Sequence, residues 1–104
     1  MITVCFYVKK DTVGFEMSGH SGYAEDGSDI ICAAVSSCAY MTANTLTEIV
    51  GLDPEIKVKD GYMKLFLNDT EASKAQDILN GFMLHINAMA GDCPEYIVCK
   101  TRNI

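Results

Sequence analysis

No C-x-x-C pair occurs in the 104 residues, although cysteines stand at positions 5, 32, 38, 93 and 99. An odd number without paired spacing argues against a disulfide framework in a cytosolic chain. The paired ligand spacing of a zinc site is missing too, so no metal and no cofactor is expected. Cys5, Cys38, Cys93 and Cys99 read as small packing residues. Long apolar runs are absent, which argues against a bilayer-spanning segment. Met1 to Val8 lacks a basic n-region and a small-residue cleavage site, so it reads as a first strand and a cytoplasmic location is the default. Cations are in short supply, eight Lys and Arg against fourteen Asp and Glu, for a net charge of −6 and a pI near 4.6. That shortage disfavours direct nucleic-acid binding, which needs Lys and Arg for phosphates, and mildly favours basic partners. Repeats, low-complexity segments and linkers are also missing, so residues 1–104 form one domain around one core.

What is present follows a simple rhythm. Ile2, Val4, Phe6 and Val8 alternate with Thr3, Cys5 and Tyr7, a period-two strand. Lys9-Lys10-Asp11 turns the chain into a second strand over 12–19, with Val13, Phe15 and Met17 on one face, and the pair predicts an antiparallel hairpin. The polar loop 21–28 carries Gly22 and Gly27 and is longer than a tight turn. Ser28 or Asp29 can cap a helix from about 29 to 50, whose buried stripe is Ile31, Val35, Cys38, Thr42, Leu46 and Ile49 and whose C-cap is Gly51. Residues 55–59 and 62–67 form a second hairpin around Asp60-Gly61. Asp69 or Thr70 opens a helix over about 71–90 with a stripe of Ala75, Leu79, Phe82, Ile86 and Met89, ended by Gly91. A last strand spans about 95–101. The order β-β-α-β-β-α-β predicts an α+β two-layer sandwich, a mostly antiparallel sheet with two helices on one face.

The chemistry concentrates between residues 19 and 34. His20 stands at the end of the second strand and Cys32 in the first turn of the following helix. Histidine is the usual proton acceptor near neutral pH. A helix N-terminus favours a thiolate. The two residues thus present a base and a nucleophile across one loop. His20 would take the Cys32 proton, the thiolate would attack a carbonyl, and backbone N–H groups near Ile31 to Ala33 would hold the oxyanion. Asp29 has two readings, orienting partner of His20 or helix cap. Ser36, one turn beyond Cys32, either supports the thiolate or is a plain helix-face serine. Gly22, Tyr23 and Gly27 are the loop positions that would meet a substrate. Loop acids Glu25, Asp26 and Asp29 would raise the thiol pKa, so the thiolate needs His20 as counter-ion. His85, between Leu84 and Ile86 in the second helix, reads as a partly buried residue and the weaker candidate base.

The run Gly19-His20-Ser21, followed by Gly27-Ser28-Asp29-Ile30-Ile31-Cys32-Ala33-Ala34-Val35-Ser36, resembles the bacterial ribosomal-processing cysteine protease family. That family's pattern is Gly-His-Ala, a short mobile loop, then Gly-x-Asp-Ile-Val-Cys-Ala-Ala. The spacing from histidine to cysteine, the chain length and the element order match as well. Ser21 and Ile31 depart from the usual alanine and valine without touching the proposed chemistry. The resemblance implies a cysteine endopeptidase that removes the N-terminal extension of a large-subunit ribosomal protein, number twenty-seven, after an aromatic-containing segment. It also implies His20 and Cys32 as the catalytic pair, a homodimer, and a loop that moves on substrate binding. The competing readings are a noncatalytic ribosome-associated binding module and a thiol redox or metal site.

Overall fold

The computed structural model describes residues 1–19 and 26–104, of which 26–29 by their backbone only. In chain order the elements are β1 (Ile2–Val8), β2 (Thr12–Ser18), α1 (Asp26–Asn44) continued by a π-helical turn (Thr45–Ile49), β3 (Glu55–Lys59), β4 (Tyr62–Phe66), α2 (Asp69–Asp92) and β5 (Ile97–Asn103). Among the described residues the strands form one sheet in the order β3-β4-β2-β1-β5. Three pairings are antiparallel, and β5 joins β1 in parallel after α2 has crossed the sheet. The expected two-layer α+β sandwich is therefore the fold, with one parallel pair in its sheet.

Strand alternation gives the sheet two unlike faces. Ile2, Val4, Phe6, Val13, Phe15, Met17, Met63 and Leu65 point to the helical layer and are buried. Phe6, Phe15 and Phe82 of α2 meet there, with ring centroids 5.4 Å apart for Phe6 and Phe82 and 4.9 Å for Phe15 and Phe82, both near edge-on. Such pairs contribute about 0.5–1.5 kcal/mol beyond the area they bury. The α2 stripe is Ala72, Ala75, Leu79, Phe82 and Ile86, all buried, with Met89 half-buried. Polar bonds fix the helix lengthwise. The Gln76 amide accepts from the Thr12 backbone N–H at 3.0 Å and donates to the Thr12 carbonyl at 2.8 Å.

The helix ends depart from the expectations in informative ways. Asn68, not Asp69 or Thr70, caps α2. Its Oδ1 accepts from the Glu71 N–H at 2.8 Å, and Glu71 reaches back to the Asn68 N–H, so two orphan donors are satisfied at once. Gly91 lies inside α2, which runs on to Asp92. Gly51 does cap the first helical segment, at φ 79°, with the Leu52 N–H donating to the Leu46 carbonyl. Ile49, expected in the buried stripe, is 80% exposed. The π-helical turn is the reason. The Val50 N–H reaches back five residues to Thr45, which widens the turn and breaks the three-four stepping of apolar positions. Thr42 and Thr45 hydroxyls donate to carbonyls four residues earlier, a contact that loosens a helix locally. Ile30–Ile49, with mean hydropathy 1.3, is long and apolar enough to cross a bilayer by length and composition, which run lengths alone did not indicate. In this fold the segment instead seats Val35, Ala39, Thr42, Ala43 and Leu46 in the core.

On the open face of the sheet, the Glu16 carboxylate accepts from the Tyr62 hydroxyl at 2.5 Å and the Tyr7 hydroxyl at 2.9 Å. The Tyr62 bond, then the Tyr7 bond, holds Glu16 below its ordinary 4.5. The bond to Glu16, with burial second, pushes Tyr7 up to about 12 from 10.0. A depressed carboxylate contributes stability above pH 4.5 that is lost as pH falls through the folded value; a raised phenol contributes stability below pH 10.0 that is lost as pH rises toward 12. Urea midpoints measured across pH should thus fall on both limbs in the native chain, and Glu16→Gln should flatten both. A second substitution tests the sheet directly. A Cβ on Gly14 would lie 2.2 Å from the Leu65 carbonyl oxygen of β4, so Gly14→Ala should lower the melting temperature by more than about 10 °C, the effect of a few kcal/mol in a chain of this size.

Candidate active site

Cys32, Ser36 and Tyr40 recur every four residues along α1 and so share one helical face. That face overhangs the sheet and encloses, with the β3–β4 hairpin, an open groove of about 520 Å³, within the usual range for a ligand site. Cys32, Ser36 and Tyr40 form one wall. Val58 to Met63 form the other, and Met17 and Gly19 of the β2 end close the base. Met17 and Met63 are buried, while Tyr40 and Val58 are 47% and 48% exposed, so the groove has an apolar floor and accessible apolar rims. A hollow of about 290 Å³ at Lys9 and Asp69 contains no cysteine or histidine. Of the thiols, Cys32 is the one that borders a sizeable groove. It is half-buried and packs one side against the core, as Cys38 and Cys99 do. Burial raises the Cys99 thiol pKa, as expected for a packing cysteine.

The backbone at the groove is tightly constrained. Gly19 takes φ 90°, a region L side chains rarely adopt, and a Cβ there would sit 2.3 Å from the Met1 carbonyl oxygen. Its N–H donates to the Gly61 carbonyl at 2.9 Å, tying the end of β2 to the hairpin turn. Gly61 has φ 69°, as the Asp60-Gly61 turn requires.

Several expected site features shift. α1 begins at Asp26, not near 29, so Gly27, Ser28 and Asp29 lie within its first turn. Positions 28 and 29 therefore do not precede the helix as caps. Cys32 becomes the seventh helical residue, in the second turn. The N–H groups of Ile31 to Ala33 are bonded inside the helix, and the α1 donors without an intrahelical acceptor are those of residues 26–28. Dipole stabilisation of a thiolate also fades beyond the first turn, so Cys32 gains less from it than the sequence implied. His20, Gly22 and Tyr23 lie outside the described residues, as does the approach of His20 to Cys32; the Asp29 side chain is likewise not described. His85, expected to be partly buried, is exposed on α2. Ser36 is where the one-turn spacing placed it, in the groove beside Cys32. Tyr40 and the hairpin wall were missed. The four-residue step from Ser36 would have indicated Tyr40, whereas the hairpin comes to the site only through the sheet order.

Comparison with known proteins places this geometry. The family described as Cysteine protease Prp matches residues 1–98. The ribosomal processing cysteine protease Prp of Bacillus subtilis is 28% identical over 101 residues, covering 91% of this chain and 90% of the relative. Among solved structures, SMU.848 from Streptococcus mutans superposes with a TM-score of 0.90 at 32% identity, covering 100% of this chain and 99% of that one. The essential ribosomal processing protease Prp from S. aureus, in complex with a substrate peptide, gives a TM-score of 0.88 at 25% identity, over 98% of this chain and 100% of that one. With the family pattern running through almost the whole sequence and the fold reproduced end to end, the chain belongs to the Prp family of cysteine proteases, the ribosomal-processing hydrolases.

Proposed function

We propose that this chain cleaves the N-terminal extension from a large-subunit ribosomal protein, number twenty-seven, with Cys32 as nucleophile and His20 as general base. The observation that carries the reading is the position of Cys32 on the wall of an open groove of about 520 Å³ with an apolar floor. Gly19, the residue before His20, borders the same groove. The S. aureus relative has also been captured with a covalently linked product peptide, at 28% identity and a TM-score of 0.81, which supports a mechanism through a covalent intermediate.

In that mechanism His20 accepts the Cys32 proton, and the thiolate attacks the scissile carbonyl carbon. The tetrahedral oxyanion is met by free N–H groups of the α1 first turn rather than by those beside Cys32. Collapse breaks the C–N bond, and His20 protonates the departing amine. Water, deprotonated by His20, then releases the acyl group from sulfur. Asp29 precedes Cys32 by three residues and acts as orienting partner of His20, since the helix start removes its capping role. Ser36 supports the thiolate from the next turn. Gly22, Tyr23 and Gly27 line the substrate's approach. The enzyme works as a homodimer in the cytoplasm, where its ribosomal substrate is made. Exposed Met41, Ile49 and Leu84 give the helical layer the apolar surface a second copy would cover.

The decisive experiment is incubation with the intact ribosomal protein, followed by mass. Native enzyme should shorten it, and Cys32→Ala should not. His20→Ala should lower the rate by about 10² to 10⁴. Asp29→Asn should cost a smaller factor, and a loss equal to that of His20→Ala would make Asp29 a full triad member. Cleavage retained by Cys32→Ala would overturn the mechanism, and a native chain that binds the extension without cutting it would favour a noncatalytic module. Cys32 should also be alkylated at neutral pH faster in the native chain than in His20→Ala.

A further inference from the structure

The sheet has a second face, and its charge is opposite to that of the protein. The strand register places Lys57 and Lys59 of β3, Lys64 of β4, and Lys100 and Arg102 of β5 on the side away from the helices. These are five of the eight cations in the sequence, whereas among the acids with described side chains only Glu16 and Glu55 share that side. Among the residues with described side chains, the rest of the chain carries three cations and nine acids. Protection of sheet edges explains a charge on β3 or β5, since charged residues deter strand addition. It does not explain the sign, because an acidic chain could have used Glu, nor does it explain Lys64 on an interior strand.

Aromatic rings lie among these cations. Tyr7 of β1 and Tyr62 and Phe66 of β4 are half-buried on the two strands that flank β2, with Tyr7 and Phe66 centroids 5.0 Å apart. Lys64 Nζ stands 5.2 Å from the Phe66 ring centroid. Glu16, the one acid near the centre, accepts both tyrosine hydroxyls. These bonds hold the two tyrosine rings in place. The ion pair among the described residues, Lys9 with Asp69, lies elsewhere, which leaves the five cations without a carboxylate partner within ion-pair distance among those residues.

We infer that the open sheet face binds single-stranded RNA, phosphates meeting the peripheral Lys and Arg and two or three bases stacking on the central rings. A sheet with aromatic residues at its centre and cations around them has the chemistry such recognition uses. The inference reverses the expectation drawn from net charge, because the total of −6 averages a basic face with a strongly acidic remainder. Of its cations and rings, only Lys59 and Tyr62 border the Cys32 groove, and neither is altered in the test below, which keeps the outcome separate from the peptidase reading. An acidic peptide would use the cations and leave the rings idle. A second copy, docking its acidic side here, would bury both.

The test is fluorescence anisotropy of a labelled, mixed-sequence RNA of about twelve nucleotides, at roughly 50 and 200 mM salt. The native chain should bind, and the higher salt should weaken binding by about 10², as five phosphate contacts require. The triple variant K64E/K100E/R102E should bind at least about tenfold more weakly while cleaving its substrate normally. If that variant fails to fold, Lys57→Glu with Arg102→Glu, on the exposed edge strands, carries the same test. Phe66→Leu should weaken RNA binding about tenfold and leave heparin binding unchanged. No binding at low salt, equal competition by polyglutamate, or an effect of the charge reversals confined to oligomeric mass by light scattering would each overturn the assignment.

Discussion

Phe6 and Phe15, on neighbouring strands, both present their rings to Phe82, and the three fill the middle of the helical layer. That contact commits α2 to the β1–β2 centre of the sheet, where the Gln76 amide locks it against Thr12. The sheet is wider than one helix can cover, but α2 has taken the central seat. α1 is left with the β4–β3 side and cannot seal it. Its inner stripe, Val35, Ala39 and Ala43, reaches the core. Its next face, Cys32, Ser36 and Tyr40, overhangs the edge strands and leaves a groove. The groove is thus a consequence of aromatic packing elsewhere, which lets a small domain keep a cleft open without a second domain to form its other wall.

The position of the thiol within α1 determines what must activate it. At the seventh helical residue, Cys32 is a turn beyond the free N–H groups, so the helix end alone contributes little to a thiolate there. In the peptidase reading, activation therefore rests on an imidazolium neighbour. The early helix start has a compensating effect. It brings the donors of residues 26–28 one turn ahead of the sulfur, where an oxyanion formed at a bound carbonyl could reach them without disturbing the helix. Gly19 serves the same end from the other side. Its positive φ and its bond to Gly61 fix the exit of β2 beside the hairpin wall. A side chain there would collide with Met1 and displace whatever follows.

Much of this was legible in the sequence where a period or a turn rule governs it. The α2 stripe follows from 3.6-residue spacing, the second hairpin from Asp60-Gly61, and the first helix terminus from Gly51. Ile49 was misread because the apolar spacing carries no sign that Thr42 and Thr45 would bond back to the helix and let it widen. The start of α1 was misread because Gly27 and Ser28 are weak helix formers, and propensity says loop where the tertiary structure makes helix. β5 running parallel to β1 was invisible for a different reason: local alternation fixes which residues share a face but not which strand lies beside which. The same limit hid the hairpin wall of the groove. Cys32 and Ser36 could be paired by counting, whereas Val58 and Met63 reach them only through the order β3-β4-β2.

Net charge failed as a guide for a related reason. A total is blind to alternation, and alternation is what sorts charge in a sheet. Lys57, Lys64 and Lys100 lie in one register row with Glu16, and Arg102 shares the next row with Tyr7. Lys57 and Lys64 fall on the open side because their neighbours in sequence, Ile56, Val58, Met63 and Leu65, take the other, and Lys100 because Cys99 packs against the core. A one-residue slip of β4 would bury Lys64 and expose Met63 and Leu65, so the register that builds the core also holds the basic face in place. The Glu16 carboxylate marks where these demands meet. It sits between Lys64 and the two tyrosine hydroxyls, and its low pKa follows chiefly from the hydroxyls, with Lys64 and Arg102 adding to it. The acid orients the rings through those hydroxyls, and five cations against Glu16 and Glu55 leave the face with a net positive charge in an acidic protein.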